Sequence, residues 1–455
     1  MKINHFPFIV CILAFLCLFG CNQNKLEPES NNEEQGEIPQ ALSDEELLDL
    51  VQEQTINYFW EGAEPLSGMA RERLHMDGQY PANDQDIVTT GGTGFGLMAI
   101  LAGVERGFIP RSGAIARFEK IVTFLEGADR FHGAWPHWLN SDGSTYPFSP
   151  KDDGGDLVET AFLIQGLLTV REYLEKEAPE QQALSQRIQQ MWEEVEWNWY
   201  TRGGQNVLYW HWSPNFEWEM DFAIGGYNEC LILYILAASS PTYPISKEVY
   251  DEGWARNGDI QQDTLYYGLR TQLDHYEYGT DPVGPLFWAH YSYLGLAPNG
   301  LSDTYADYWE LNKNHALIHY RYCVENPGNY EDYGVDEWGL TSSYSINGYD
   351  AHRPGNDTGV ISPTAALSSM PYTPEESKRF LRKLYTEKDS LVGKYGPYDA
   401  YSSENNWYLR RYLAIDQGPI PVMIENYRSG LLWDLFMGNE EVRNGLDKLG
   451  FNYGY

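Results

Sequence analysis

Residues 151–168 read KDDGGDLVETAFLIQGLL, with an acidic, glycine-rich first half and an almost wholly apolar second half. The apolar side chains surround the whole circumference of the second half, which predicts a helix buried on all sides. If the first turn is helical, Asp152, Asp156 and Glu159 share one face, because they are spaced i, i+4 and i+7. With Asp153, they place four carboxylates at the mouth of a buried helix.

These carboxylates have two interpretations. A glycosidase pocket needs one carboxyl group to protonate a leaving oxygen and another to activate water or to attack. Alternatively, Asp156 and Glu159 form a capping box, Asp at the N-cap and Glu three residues later. Negative charge at that position stabilises a helix by roughly 0.3–1 kcal/mol. Capping does not account for Asp152 and Asp153, which favours the functional interpretation.

Glycine-led apolar segments recur along the chain at intervals of 58 to 75 residues. They begin at Gly92, Gly155, Gly226, Gly284, Gly359 and Gly418. Amphipathic segments lie between them, for example 115–125 and 184–195, where apolar residues three and four apart form one stripe. Six buried helices alternating with amphipathic ones predict an all-α (α/α)6 barrel, a six-hairpin toroid with an inner and an outer ring. An open helical solenoid is the alternative; the amphipathic segment 44–61 and the lack of sustained strand-like alternation favour one closed domain over 44–455.

The connections into the buried segments are longer than those leaving them, and long loops inside a domain are usually functional. They span 70–91, 130–154, 202–224, 259–283, 327–358 and 390–417. All six are expected at the N-terminal ends of the inner helices, where aromatic and polar side chains suit a saccharide cleft. The predicted substrate-binding residues in these loops are Trp135, His137, Trp138, Trp210, His211 and Trp212. For any one of them, packing within its loop is the alternative.

A further carboxylate, Glu229, stands at the top of the next inner helix. A buried acid there is costly unless it is paired or functional, although Glu229 could also be a first-turn acid beside Asn228 as the cap. We expect Glu159 and Glu229 to form the pair closest to the scissile bond, with Asp152 and Asp156 binding sugar hydroxyls or positioning water. In the last inner segment, the predicted substrate contacts are Asp416, Glu425 and Arg428.

The composition narrows the classes of partner. The formal net charge of −35 argues against nucleic acid and anionic lipid headgroups, whereas a neutral polymer such as a glucan is not repelled. Aromatic residues make up 15% of the chain, with 15 Trp and 34 Tyr, an excess that suits stacking on sugar rings. No cysteine–histidine spacing indicates zinc, and no specific phosphate-binding loop occurs. We therefore predict no cofactor and no metal, and we expect a monomer.

The N-terminus has the pattern of a bacterial lipoprotein signal, with a positive first region and an apolar run too short to span a membrane comfortably. Residues 1–20 are predicted to be a signal peptide, and Cys21 the lipidated first residue of the mature chain. The polar, acidic residues 21–43 predict a disordered tether. By resemblance to sorting signals, Asn22 favours the outer membrane, on its periplasmic or cell-surface side, with contact only through the lipid. An ordinary secretion signal is the alternative.

Long motifs carry a family resemblance. GPLFWAHYSYLGL at 284–296, GLTSSYSINGYDAHRPGNDTGVISPTAALSSMPYTPEES at 339–377 and AIDQGPIPVMIENYRSGLLWDLF at 414–436, with the stretch 152–168, look like the glucoamylase-like domain of bacterial lipoproteins. That domain resembles family 144 of the glycoside hydrolases, the β-1,2-glucanases. The resemblance covers nearly the whole mature chain and implies an (α/α)6 barrel and inverting hydrolysis. It implies acidic site residues at Asp152, Asp156, Glu159 and Glu229.

Three classes of function follow from these patterns. The first is an extracytoplasmic hydrolase of β-1,2-glucan or sophoro-oligosaccharides, endo-acting or sophorose-releasing, with an exo-acting α-glucan glucoamylase as its alternative. The second is a non-catalytic, lipid-anchored glycan-binding protein, against which the intact mouth carboxylates argue. The third is a barrel-type epimerase or polysaccharide lyase. Epimerases of this fold use paired histidines, and lyases often act on acidic polymers that a charge of −35 disfavours.

Overall fold

The computed structural model describes residues 42–275 and 283–455, so the predicted signal peptide (1–20), Cys21 and most of the predicted tether lie outside the described residues. Leu42–Tyr455 form one compact unit. In the described chain the α-helices are α1 (Asp44–Trp60), α2 (Thr90–Glu105), α3 (Arg111–Gly127), α4 (Leu157–Tyr173), α5 (Pro179–Glu193), α6 (Leu231–Ser239), α7 (Tyr308–Glu325), α8 (Pro363–Leu367), α9 (Pro374–Thr386), α10 (Ala414–Gln417), α11 (Pro419–Arg428), α12 (Leu431–Met437) and α13 (Glu440–Leu449).

Short strands of two to four residues join the loops in antiparallel pairs and form no separate β domain within the described residues. They are β1 (Arg73–His75), β2 (Val88–Thr89), β3 (Trp138–Leu139), β4 (Thr145–Tyr146), β5 (Gly155–Asp156), β6 (His211–Trp212), β7 (Leu265–Tyr266), β8 (Leu269–Arg270), β9 (Ser342–Ser345), β10 (Gly348–Ala351), β11 (Val392–Gly393), β12 (Gly396–Pro397), β13 (Tyr401–Ser402), β14 (Trp407–Tyr408) and β15 (Arg411–Leu413). The pairs are β1–β15, β2–β3–β4, β5–β6, β7–β8, β9–β10, β11–β12 and β13–β14.

The helices form an (α/α)6 barrel. Its inner ring consists of the almost wholly buried α2, α4, α6, the segment 286–293, α8 and α11. The ring closes where the chain ends meet, because α1 packs against both α2 and α11, and α11 also packs against α2. The predicted barrel is therefore confirmed, and the open solenoid is excluded.

Two inner positions are shorter than the sequence predicts. Segment 286–293 forms two 3-10 turns rather than an α-helix, and α8 has only five residues. The side chain of Gln165 on α4 explains the first case, because it accepts a hydrogen bond from the Gly295 N–H (2.7 Å) and donates one to the Tyr291 carbonyl (3.1 Å). Backbone groups that a regular helix would pair internally are thus paired with a neighbouring helix.

Helices α2 and α4 touch backbone to backbone. A Cβ atom at Gly94 would collide with the carbonyl oxygen of Phe162, and one at Gly166 would collide with the carbonyl oxygen of Gly94. Only residues without a side chain allow such an approach. The contact sets the first turns of the two helices side by side, so that the Gly91 N–H of α2 lies 2.8 Å from the carboxylate of Glu159 on α4.

The outer helices are amphipathic, as the spacing predicts. Helix α3 buries Ala114, Phe118, Ile121, Val122 and Leu125, and α5 buries Gln181, Leu184, Ile188, Met191 and Trp192. Among the described residues, no helix combines the length and the apolar character that crossing a membrane requires. Cys230 and Cys323 are both buried.

Candidate active site

A cavity of about 620 Å³ lies at the end of the barrel where the inner helices begin. Within the described residues, five of the six long loops line it, and only loop 259–283 contributes nothing, which agrees with the prediction that these loops gather at one end. The lining residues are Glu72, Arg73, Thr89, His137, Trp138, Phe148, Glu159, Phe162, Trp210, Glu229, Phe287, Tyr291, Ser342, Tyr344, Tyr349, Leu413 and Ile415.

Asp156 is the N-cap of α4 and a fixed anchor beside the cavity. Its Oδ1 accepts hydrogen bonds from the Val158 N–H (3.0 Å) and the Glu159 N–H (2.9 Å). Its Oδ2 accepts from Nε1 of Trp210 (3.1 Å) and contacts Nδ1 of His137 at 2.9 Å. The side chain has no exposed surface. Burial acts to raise the pKa of Asp156, but the His137 contact and the other donors outweigh it, and the pKa is lowered.

Glu159 does not complete a capping box, although Asp156 caps the helix as the alternative interpretation predicts. Instead, its Oε2 accepts a hydrogen bond from the Gly91 N–H on α2 at 2.8 Å. The carboxyl group borders the cavity, and the residue is 3% exposed. Burial raises the pKa of Glu159 to about 7, although the charge of His137 opposes the rise. A carboxyl group of this kind exchanges protons near neutral pH.

His137 lies between these two carboxylates. Its Nδ1 is 2.9 Å from Asp156 Oδ2, and its Nε2 is 3.9 Å from Glu159 Oε1. The ring stacks on Phe148, with centroids 4.2 Å apart. Burial acts to lower the pKa of His137, but the carboxylates of Glu159 and Asp156 outweigh burial and raise it to about 9.

A strand pair brings a second histidine to the carboxylates. Strands β5 and β6 pair antiparallel, with Asp156 opposite His211. The Nδ1 atom of His211 lies 3.2 Å from Oδ1 of Asp152 and 3.8 Å from Oδ2 of Asp156. Asp152 is 3% exposed and does not line the cavity. We therefore place Asp152 and Asp156 beside the cavity wall, where Asp156 contacts His137 and Asp152 lies within ion-pair distance of His211.

The cluster raises the question of a metal. His137, Asp152 and Asp156 each offer a ligand atom, and these atoms lie within 4.8 Å of one another. Both oxygens of Asp156 already accept hydrogen bonds from the N–H groups of Val158, Glu159 and Trp210, and Nδ1 of His137 lies 2.9 Å from Oδ2. The donor set therefore fits a hydrogen-bonded cluster of charges better than a metal centre.

Glu229 also lines the cavity, on the chain entering α6. Asn228 accepts a hydrogen bond from the Cys230 N–H at 2.9 Å, and α6 begins at Leu231. Glu229 thus precedes the helix rather than occupying its first turn, and its carbonyl accepts a hydrogen bond from the hydroxyl of Ser292. Glu229 and Glu159 are therefore lining residues of one cavity.

Of the predicted aromatic contacts, Trp138 and Trp210 line the cavity, whereas Trp135 and Trp212 do not. Trp135 is fully buried, and its Nε1 donates to the Leu125 carbonyl at 3.2 Å. Trp212 packs edge-on against Trp199, with centroids 5.3 Å apart. Both are packing residues, the alternative open at the sequence level, because Trp135 packs toward α3 and Trp212 packs against Trp199.

Three predicted substrate contacts in the last inner segment also lie off the cavity. Glu425 accepts two hydrogen bonds from Arg106, at 2.7 and 2.8 Å, and is 1% exposed. Arg428 pairs with Asp49 on α1 at 2.6 Å. Asp416 is buried beside a small void and not on the cavity wall. Glu425 and Arg428 therefore form ion pairs with residues of neighbouring segments, Arg106 and Asp49.

Asp416 has an acidic neighbour that the sequence did not indicate. Burial and the carboxylate of Asp399 hold the pKa of Asp416 well above its usual range. Burial raises the pKa of Asp399 to about 6, and its Oδ2 accepts a hydrogen bond from the Tyr344 N–H at 3.0 Å. Asp399 therefore supports the cavity wall through the backbone of Tyr344.

A further part of the cavity wall includes Glu72, Arg73 and Tyr349, which sequence reasoning missed. Arg73 donates a hydrogen bond to the hydroxyl of Tyr344 at 2.9 Å, lies 5.6 Å from the ring centroid of Trp138 and pairs with Glu72. Glu72 and Arg73 border the cavity because β1 pairs with β15, whose residues lie some 340 positions away, with Arg73 opposite Leu413. Tyr349 comes from the hairpin β9–β10 and is half exposed. The aromatic richness of loop 327–358 is the available signal for Tyr344 and Tyr349.

Comparisons with a family profile and with known proteins agree with the family resemblance seen in the sequence. A family profile described as "Putative glucoamylase" matches residues 221–440. A solved endo-β-1,2-glucanase from Chitinophaga pinensis, in complex with sophorotriose and glucose, is 59% identical, with a TM-score of 0.89 over 91% of this chain and 99% of that one. An exo β-1,2-glucooligosaccharide sophorohydrolase (non-reducing end) from Parabacteroides distasonis is 44% identical over 426 residues, 90% of this chain.

The chain spans 58% of the length of that curated sophorohydrolase. A more distant structure, an endo-β-1,2-glucanase from Talaromyces funiculosus with sophorose, is 12% identical, with a TM-score of 0.63 over 90% of this chain and 91% of that one. At that identity the likeness concerns the fold alone.

Proposed function

Because the chain belongs to the glucoamylase-like family 144 of glycoside hydrolases, we propose that it hydrolyses linear β-1,2-glucan or its sophoro-oligosaccharides. The observation that carries the proposal is the placement of Glu159 and Glu229 on the wall of one cavity. Two carboxyl groups flanking a glycosidic bond are what hydrolysis of that bond requires. The names of the relatives, an endo-β-1,2-glucanase and a β-1,2-glucooligosaccharide sophorohydrolase, support the linkage.

In this proposal one of the two glutamates is the general acid and the other is the general base. Glu159, with a pKa of about 7, exchanges a proton at neutral pH, which suits a general acid or a general base. Glu229 is its partner, and together they protonate the leaving oxygen and activate water. Inversion of the anomeric carbon follows from attack by that water on the opposite face of the sugar, which needs carboxyl groups roughly 6.5–9.5 Å apart.

The walls of the cavity suit a neutral sugar chain. Aromatic side chains from three loops border it: Trp138, Phe148, Trp210, Tyr344 and Tyr349. Aromatic faces bury the apolar faces of sugar rings, while polar tips bond to hydroxyl groups. Acidic side chains of the site would repel an anionic polymer and leave a neutral glucan unaffected.

The linkage is tested on a panel of glucans. The purified chain is incubated with linear β-1,2-glucan, starch, and β-1,3- and β-1,4-glucans, and the products are separated by chromatography and weighed by mass spectrometry. We expect products from β-1,2-glucan alone, either sophorose only or a ladder of oligosaccharides, which distinguishes exo from endo action. Glucose from starch with β-1,2-glucan untouched would support the α-glucan glucoamylase. Binding without products would support a glycan-binding protein.

For the location, we propose that Cys21 carries lipid and anchors the domain to the outer membrane. The support is the sequence Leu-Phe-Gly-Cys21 after an apolar run, followed by an acidic tether. In the native host, Cys21→Ser is expected to move the protein from the membrane fraction to the soluble fraction. A control substitution in the same segment, Ser30→Ala, is expected to leave it in the membrane. Unchanged fractionation of Cys21→Ser would contradict lipidation.

A further inference from the structure

His137 occupies a position that substrate binding alone does not explain. Its Nδ1 is 2.9 Å from Asp156 Oδ2 and its Nε2 is 3.9 Å from Glu159 Oε1, so one ring bridges two carboxylates of α4. Stacking on Phe148 and an edge contact with Trp138 (centroids 5.4 Å apart) fix the ring from the loop side. The side chain is 16% exposed.

Asp156, which anchors the His137 ring, is itself held in place by hydrogen bonds. Both carboxylate oxygens of Asp156 are already bonded, Oδ1 to two N–H groups of α4 and Oδ2 to Trp210. A ring held on such an anchor keeps its second nitrogen aimed at the cavity edge. Glu159 is the acid at that edge, and the Gly91 N–H fixes its other oxygen.

Titratable groups face His137 from α4 and its preceding loop, from the chain beside β1, and from β6. Glu159 and Asp156 on α4 and Asp152 in the preceding loop attract a proton to the ring. Burial raises the pKa of Glu72, beside β1, and the charge of His137 opposes that rise. His211 on β6 contacts the Asp152–Asp156 side of the cluster, at 3.2 and 3.8 Å.

We propose that His137, as an imidazolium held between Asp156 and Glu159, is a positioning residue that sets the pH at which Glu159 gains or loses its proton. The inference rests on the proposed function, in which Glu159 is one of the two working carboxyl groups. A positive charge 3.9 Å from Glu159 favours its ionised form and opposes the effect of burial. His137 thereby keeps Glu159 in the range where proton exchange is fast at neutral pH.

The enzymatic test is the pH profile of His137→Gln. Glutamine keeps a hydrogen-bond donor near Asp156 but carries no charge. Loss of an opposite charge within about 4–6 Å raises a carboxyl pKa by about 1–3 units. We expect the limb of the kcat profile that reports Glu159 to move upward by at least one pH unit in the folded variant. An unmoved profile would overturn the proposal, since a sugar-binding role alone changes KM.

The matched control is His132→Gln. His132 also pairs with a carboxylate, Glu196 at 2.8 Å, and also stacks on an aromatic ring, Trp199 at 3.5 Å. It does not line the cavity. We expect its pH profile to match that of the wild type, so a shift in His137→Gln alone identifies the contribution of charge beside Glu159.

A second readout does not depend on hydrolysis. Imidazole ¹H–¹⁵N spectra of the full chain, with the His137 signals assigned by their loss in His137→Gln, follow its protonation directly. We expect His137 to remain protonated above pH 8 in the wild type and to titrate at least one unit lower in Glu159→Gln. Titration near 6.5 in both proteins would refute the coupling. If no glucan is hydrolysed, the proposed function fails, while this spectrum still decides on His137.

Discussion

Gly91→Ala perturbs the candidate site through a single methyl group. The new Cβ would lie 2.5 Å from Oε2 of Glu159 and 3.0 Å from Cδ2 of Phe162. Ordinary contact begins at 3.4 Å, so the carboxylate must move by about 0.9 Å. Every residue of α2 from Thr90 to Gly103 is buried, so the backbone at Gly91 has little room to move away instead.

The size of the effect follows from that displacement. A misplacement of about 1 Å in a catalytic group lowers turnover by about 10²-fold. The Gly91 N–H bond to the Glu159 carboxylate is stretched as well, and that bond lowers the pKa of Glu159. We therefore expect kcat to fall about 10²-fold and the pKa of Glu159 to rise.

The assay compares kcat on sophoro-oligosaccharides with thermal unfolding by circular dichroism. Gly127→Ala, at the exposed end of α3, is the matched control, because its Cβ would meet nothing within 4 Å. We expect wild-type kcat for Gly127→Ala. Activity of Gly91→Ala within threefold of the wild type would refute the reasoning that Gly91 fixes the Glu159 carboxylate.

Two further predictions concern stability. Glu425→Ala leaves Arg106 without its buried partner, so we expect a loss of about 3 kcal/mol in the free energy of unfolding. We expect KM to remain unchanged. A higher KM with normal stability would instead indicate that Glu425 binds substrate. Burial lowers the pKa of His315 to about 4, whereas the unfolded chain titrates near 6.5. The unfolded state therefore binds the proton first, and stability present above pH 6.5 is lost as pH falls toward 4. We expect the Tm to fall across that window by more in the wild type than in His315→Gln, and equal slopes would contradict the assignment.

Much of the site could be predicted from residues 151–168. The apolar circumference predicts the buried α4, and the carboxylates ahead of it predict an acidic pocket. The pattern could not say that Asp156 commits both oxygens to donors, because Trp210 and His137 arrive from loops that only the folded chain brings together. Glu159 and Glu229 remain the predicted pair that lines the cavity.

The remaining differences have simple geometric causes. In the last inner segment, the residues that line the cavity, Leu413 and Ile415, precede α11. Glu425 and Arg428 lie six and nine positions after its first residue, Pro419. At 1.5 Å per residue they stand roughly 9–14 Å down the helix from the mouth. Glu72 and Arg73 were missed because three-residue strands such as β1 carry too little pattern to predict their partners.

The most direct test of the two-glutamate account is time-resolved ¹H NMR of linear β-1,2-glucan with the wild type, Glu159→Gln and Glu229→Gln. For the wild type, the new reducing ends should appear first as the α anomer, since inversion converts a β linkage. Each variant should unfold at the wild-type temperature and release product about 10²–10⁴-fold more slowly. First appearance of the β anomer, or near-wild-type release by either variant, would contradict the assignment.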